Sequence, residues 1–333
     1  MKLIIPMAGM GTRMRPHTLT VPKPLLSVAG KPIVQRLCED IMDVCHEKPE
    51  EIAFIIGDFG KAVEDQLLAI AQKAGAKGKI YYQKEALGTG HAVLCAADSL
   101  DGKTIVAFAD TLFKADFELD ESRDGIIWTH RVDDPSAFGV VQTDASGIIS
   151  DFVEKPHTFI SDQAIIGIYY FRDGDALKSE LQYLVDHNVS KKGEYQLTDA
   201  LENMRKKGTR FVTGDVLEWM DCGNKNATVH TNQRVLIDEQ NLSLPDTILQ
   251  ENAVIIQPCF IGQNVVLKNT VVGPYVSLGE NSRIENSVVD NSIIGSNVTI
   301  RSAVLTNTMV GNHAVWEEKP SELSLGDYSQ IIS

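Results

Sequence analysis

Apolar residues fall in short uninterrupted runs separated by amphipathic stretches. Leu3-Ile4-Ile5, the run at 52–56 and the run at 104–109 read as buried strands, and 79–83 as another. Between them the spacing turns helical. Val34, Leu37, Cys38, Ile41, Met42 and Cys45 share one face over 30–45, and Val63, Leu67, Ile70, Ala71 and Ala74 do so over 61–74. A further helix is predicted over 90–100. Strands alternating with helices of this length predict a mostly parallel α/β sheet with binding loops at the strand C-termini. Strands over 125–132, 138–143, 147–153 and 164–171 and a helix over 176–185 follow. A helix over 224–237 closes a first domain, 1–240.

The period then changes. Aliphatic residues recur at Ile261, Leu267, Val272, Leu278, Ile284, Val289, Ile294, Ile300, Leu305 and Val310, at steps of five or six and never three or four. Many are followed by Gly, Asn, Asp or Glu. Such a repeat predicts short strands stacked around a triangular prism, a β-helix solenoid over 245–333. After Trp316 a polar, Pro320-containing excursion interrupts it. The stretch 325–331 resembles one more hexad, so a loop and a last strand are expected there.

At 333 residues the chain has room for two domains with cores of their own. No apolar run reaches 18 residues, which excludes a membrane-spanning helix. The opening MKLII is too short for a signal-peptide core and reads as strand one. Cysteines 38, 45, 95, 222 and 259 form no C-x-x-C pair, and the histidines show no zinc spacing. Scattered thiols without a leader predict a reduced, cytoplasmic setting. The net charge of −14 argues against a general basic surface for nucleic acid, so any phosphate must be met by a local group of cations.

That group lies in 4–24, IIPMAGMGTRMRPHTLTVPKP. After the first strand comes a glycine turn, Ala8-Gly9-Met10-Gly11-Thr12-Arg13, then Arg15 and Lys23. Glycines let backbone approach a ligand, and successive N–H groups in such a turn cradle an anion. Arg13, Arg15 and Lys23 suit a ligand carrying several phosphate charges. A dinucleotide fingerprint would need a third glycine where Met14 stands, and the P-loop string is absent. The bland alternative is an ordinary strand-to-loop turn with solvated basic residues. With Thr12-Arg13, Arg15 and Pro22-Lys23-Pro24 attached, the stretch resembles the signature of the sugar-phosphate nucleotidylyltransferases.

The resemblance continues along the chain. Gln83 to Ala92 (QKEALGTGHA), Asp110 after a strand, Asp134 to Val141 (DPSAFGVV), Glu154-Lys155-Pro156, Lys192-Gly193-Glu194 with Leu197-Thr198-Asp199, and Trp219-x-Asp221-x-Gly223 are each similar to a family motif. Ala109 departs from the glycine that usually precedes the Asp, which bears on nucleotide identity. The resemblance implies an α/β fold: a Rossmann-like, mostly parallel-sheet nucleotidyltransferase domain followed by a short left-handed parallel β-helix. It implies transfer of a nucleotidyl group from an NTP, dTTP or UTP, to a sugar 1-phosphate such as glucose 1-phosphate, with release of pyrophosphate.

It also implies roles. Ala8, Gly9, Gly11, Thr12, Gln83, Gly88 and Thr89 would bind the nucleotide. The Gln83 amide can match the O and N3–H of uracil or thymine. Thr89 would also cap the helix that follows it. Gly139, Glu154, Lys155, Gly167 and Lys192 would hold the sugar phosphate. Arg13 would stabilise the leaving pyrophosphate and Lys23 the α-phosphate, with Lys155 on the attacking phosphate. Asp110 and Asp221 would hold Mg²⁺. No general base is required, because the attacking phosphate is already ionised.

Two other readings have a place. A cytidylyltransferase on a small phosphorylated alcohol would share the first motifs but want an aromatic cage. An inactive nucleotide-sensing relative would usually lack the Arg or an Asp, and both are present. Hexapeptide solenoids also occur as acetyltransferases, but only His313 is available in this region. A cap or a homo-oligomer contact is the expectation for the solenoid. No nucleic-acid or membrane partner is expected.

Overall fold

The computed structural model describes all residues except 117, 240–241, 320–323, 325–329 and 331–333. It divides into two units, Met1–Leu26 with Lys31–Ala227, and Ser27–Gly30 with Thr228–Ser333.

The first unit is built on a twisted nine-stranded sheet. Its elements, in chain order, begin with β1 (Lys2–Pro6), α1 (Ile33–Val44), β2 (Glu51–Ile56), α2 (Lys61–Lys73), β3 (Lys77–Tyr82), α3 (Thr89–Leu94) and β4 (Thr104–Ala107). Next come β5 (Thr111–Lys114), β6 (Gly125–Arg131), β7 (Gly139–Thr143), β8 (Ile149–Glu154), β9 (Gln163–Phe171), α4 (Gly174–Asp186) and α5 (Leu197–Lys206). The last are β10 (Phe211–Asp215), β11 (Glu218–Asp221) and α6 (Lys225–Asp238), whose first residues belong to this unit and the rest to the second.

The strand order is β8-β7-β9-β4-β1-β2-β3, with β6 on β9 and β10 on β6. β1 is parallel to both β2 and β4, and β2 to β3. β9 runs antiparallel to β4, β6 and β7. After β1 the chain fills one side of that strand with β2 and β3, then crosses to the other side for β4. This reversal makes a topological switch point at the C-terminal ends of β1 and β4. Ile4, Ala53, Val106, Ile127, Phe171 and Leu177, all fully buried, are part of one core joining the sheet to its helices.

Several bounds differ from the periodicity. The helix expected over 90–100 ends at Leu94 and gives way to a 3₁₀ turn at Ala97–Ser99. The helix expected from residue 30 starts at Ile33, after Pro32. The pair β5–β11 and the strand β10 had no signature in the apolar pattern, since each carries only two adjacent apolar residues among polar ones.

The second unit is a parallel β-helix. Successive coils stack in register, as in Leu267↔Ile284↔Ile300 and Leu278↔Ile294↔Val310. Ile261, Leu267, Val272, Leu278, Ile284, Val289, Ile294 and Ile300 are all buried on its axis, and Leu305 and Val310 pack against them. The corners need a left-handed backbone, which Asn264, Asn281, Asn297 and His313 supply at equivalent positions. Asn264 donates to Asn281, and Asn252 to Asn269 to Asn286, forming side-chain ladders along the corners. Asn232 of α6 is fully buried: its Oδ1 accepts from Ala29 N–H (2.9 Å) and Ser277 Oγ (2.6 Å). The final hexad expected at 325–331 lies outside the described residues. No helix of the described residues is long and apolar enough to cross a membrane.

Candidate active site

The loop after β1 opens at the switch point. Gly11 takes a left-handed φ of 56°, and a Cβ there would meet Lys23 Cβ and Thr18 Cγ2 at 3.1 Å. Thr18 Oγ1 donates to the Gly11 carbonyl at 2.8 Å, pinning the turn from behind. The 3₁₀ turn Thr12–Met14 buries Met14 as its anchor and leaves the Arg13 side chain in solvent. Lys23 is buried, 8% exposed, and its Nζ lies 2.8 Å from Asp110 Oδ2. A buried ammonium of this kind needs a paired carboxylate. These groups border one cleft of about 420 Å³, with Gly9, Gln83 and Gly88 on its walls.

The far wall is made by two loops that clamp each other. Tyr195 N–H donates to Leu87 O, and Gly90 N–H to Tyr195 O, both at 2.8 Å. Only glycine fits at 88: its φ is 98°, and a Cβ would lie 2.6 Å from Tyr195 O. Thr89 does not cap its own helix, as the sequence suggested. It is the first residue of α3, and its Oγ1 accepts from Leu197 N–H at 3.0 Å, the first turn of α5. The α3 cap position belongs to Gly88, whose backbone faces the cleft and Gln83 Nε2.

Asp221 arrives beside Asp110 through the β5–β11 pair, where Asp221 faces Thr111 and Cys222 N–H donates to Asp110 O at 2.9 Å. Burial raises the Asp221 pKa, and the Asp110 charge raises it further. The Gly223 N–H on Oδ1, Lys23 and Arg13 pull the other way. Asp110 lines the cleft and Asp221 stands beside Asp110, and such a pair of carboxylates offers hard oxygen donors suited to Mg²⁺, which takes one or two carboxylates and completes its shell with phosphates and water. Among the described residues there is no group of three or more His, Cys, Asp or Glu side chains placed for a metal ion. Trp219, two residues before Asp221, packs edge-on against Phe138 at 4.9 Å and so ties this strand to the loop preceding Gly139.

Residues 2–237 match the nucleotidyl transferase family. The chain belongs to that family. This nucleotidyltransferase is 28% identical to a glucose-1-phosphate thymidylyltransferase of Streptomyces antibioticus over 99% of both chains. It is 31% identical to the bifunctional protein GlmU of Latilactobacillus sakei over 92% of its own length and 70% of the relative's. Among solved structures it resembles a UDP-glucose pyrophosphorylase complexed with UDP-glucose, at 25% identity and a TM-score of 0.59, covering 71% of this chain and 98% of that one.

In the transferase, Ala8, Gly9, Gly11, Thr12, Arg13, Lys23, Gln83, Gly88, Thr89 and Asp110 border the one cleft. Arg15 does not. Glu154 lies against Gly139, where a Cβ would be 3.1 Å from its Oε2, and accepts from Thr198 Oγ1 at 3.4 Å. Gly167, at φ 88°, occupies the register shift of β9 and accepts from Phe108 N–H. Lys155 and Lys192 are exposed and both take left-handed backbone. Lys191, not Lys192, is tied down, by Asp199 at 2.7 Å. Phe108, Glu194 and Gly223 also line the cleft and carried no separate signal beyond their neighbours' motifs.

Proposed function

We propose that this nucleotidyltransferase transfers a nucleotidyl group from dTTP or UTP to a sugar 1-phosphate, glucose 1-phosphate first among candidates. The observation that carries the reading is the switch-point cleft itself. One wall offers the 9–13 backbone, Arg13 and Lys23 for a triphosphate, and the other offers the Gln83 amide and Gly88 backbone for a base edge. The full-length likeness to a glucose-1-phosphate thymidylyltransferase supports the choice of base and sugar.

The attacking oxygen of the sugar 1-phosphate displaces pyrophosphate from the α-phosphorus in line, so catalysis is chiefly positioning and charge neutralisation. Arg13 stabilises the departing pyrophosphate together with the 9–12 amides. Lys23 serves the α-phosphate, and its pairing with Asp110 holds it in the cleft until the substrate arrives. Glu154 and the Gly139 and Gly167 backbones hold the sugar, with Lys155 and Lys192 on its phosphate. Asp110 and Asp221 would hold Mg²⁺, which when bound neutralises charge on the reacting phosphates. Residues 1–240 form the catalytic domain, and 245–333 a solenoid that caps it or joins copies of the chain.

The test is pyrophosphate release with Mg²⁺ across UTP, dTTP, CTP, GTP and ATP against the 1-phosphates of glucose, N-acetylglucosamine and mannose and against phosphocholine as a phosphorylated alcohol. Signal is expected with dTTP or UTP and glucose 1-phosphate. Preference for CTP with a phosphorylated alcohol, or nucleotide binding without turnover, would overturn the reading.

A further inference from the structure

The amide of Gln83 is held from behind at its nitrogen. Nε2 donates to the Gly88 carbonyl at 3.1 Å and lies 3.2 Å from Nδ1 of His91 in the first turn of α3. A carbonyl can only accept, so Gly88 fixes which end of the amide faces inward. The second amide hydrogen is then available to Nδ1, provided that ring nitrogen carries no proton. Oε1 of Gln83 and the backbone N–H of Gly88 have no hydrogen-bond partner among the described residues, and both residues line the cleft.

We infer that His91 is a positioning residue for base recognition: as a neutral imidazole with its proton on Nε2, it accepts from Gln83 Nε2 and holds Oε1 towards the base. The exposed acceptor and the Gly88 donor together match the N–H and carbonyl of an imide edge, as in uracil and thymine. The inference rests on the base-reading role proposed for Gln83.

The surroundings keep the ring neutral. Burial lowers its pKa from the ordinary histidine value. Glu85, in the loop before α3, is the charge that opposes this. Cys95, one turn further on, has its Sγ 3.9 Å from Nδ1 and remains a thiol because burial raises its pKa. No charged group of β1, α4 or α5, the elements packed on α3, acts on the ring among the described residues. The sign follows directly. Above the lowered pKa the ring accepts and the amide is held. As pH falls through it, Nδ1 becomes a donor facing a donor, and the hold is lost.

The experiment is calorimetric titration of the full chain with dTTP and with UTP, in Mg²⁺, at about pH 7.5 and at a pH well below the midpoint of the His91 ring, which an NMR titration of that ring locates. At the higher pH His91→Leu should weaken binding roughly 3- to 10-fold, the worth of one neutral hydrogen bond. His91→Gln keeps an acceptor that does not titrate, so it should bind within about 3-fold of wild type there. Between the two pH values wild type should weaken more than His91→Gln does. Protonation of the nucleotide itself is common to both and cancels in the comparison. Wild-type affinity in His91→Leu, or equal acid dependence in wild type and His91→Gln, would overturn the inference. Gln83→Ala separates the causes. If it binds like wild type, the base-reading role fails and the inference falls with it. If it weakens while His91→Leu does not, the role of His91 alone is wrong.

Discussion

Arg13 projects into solvent, whereas Lys23 is buried and paired with Asp110, and this contrast sets their expected behaviour. The Arg13 side chain is exposed, and Arg13→Ala removes the charge that the proposed mechanism sets against the leaving group. Its kcat should fall on the order of 10²–10⁴ with the melting temperature unchanged. Steady-state kinetics beside a thermal melt checks both, and near wild-type kcat would exclude the role. Gly88→Ala acts differently. Its φ of 98° and the Tyr195 oxygen 2.6 Å from a new Cβ force the clamp open, so nucleotide affinity should drop about tenfold or more in a titration with dTTP or UTP. Residues with a fixed partner in sequence, such as the Gly9 to Arg13 turn, were legible as motifs. Thr18 and His91 fall inside motif stretches, but their contacts with Gly11 O and Gln83 Nε2 were not legible, because a motif's spacing does not say which atom a side chain meets. Thr89 was misread for the same reason. A threonine ahead of a helix looks like its cap, and the α5 amide it serves is more than 100 residues away.

At the scale of elements, periodicity carried most of the fold. The five-to-six-residue step of aliphatic positions marked the axis of the solenoid, since each of those side chains packs in its core, although Cys259, Val265, Val276 and Val298 are buried there too and fall outside the step. The asparagine corners were visible as composition, but their left-handed backbone and ladders were not. The β5–β11 pair escaped because two apolar residues between polar ones make neither a run nor a period, and it is this pair that sets Asp221 beside Asp110. Asn232 was likewise read only as part of a helical stretch. Its buried amide oxygen accepts from the Ala29 N–H and the Ser277 hydroxyl, so Asn232→Leu removes the acceptor that both of these hydrogen bonds use. A loss of about 2–4 kcal/mol is expected, seen as a lower urea midpoint for the transition involving the second unit. An unchanged midpoint would show that the three-way contact contributes nothing.

For the whole molecule, the order of strands explains why motifs scattered from residue 8 to residue 223 meet. β1 and β4 are parallel neighbours at the reversal of the sheet, so the loops that leave them open on the same edge, and β3 delivers Gln83 to that edge as well. With a net charge of −14, the cations gathered there stand against an acidic background, in keeping with the polyphosphate proposed for the cleft. Removing divalent cations with EDTA should abolish turnover, and added Mg²⁺ should restore it, because Asp110 and Asp221 otherwise face incoming phosphates with like charge. The central claim is joining of the two substrates, not merely cleavage of a triphosphate. Phosphorus NMR of a reaction containing Mg²⁺, glucose 1-phosphate and dTTP or UTP tests it most directly. Nucleoside-diphosphate sugar and pyrophosphate should appear in equal amounts as both substrates disappear. Pyrophosphate accompanied by the nucleoside monophosphate, or no consumption of the sugar phosphate, would contradict the account.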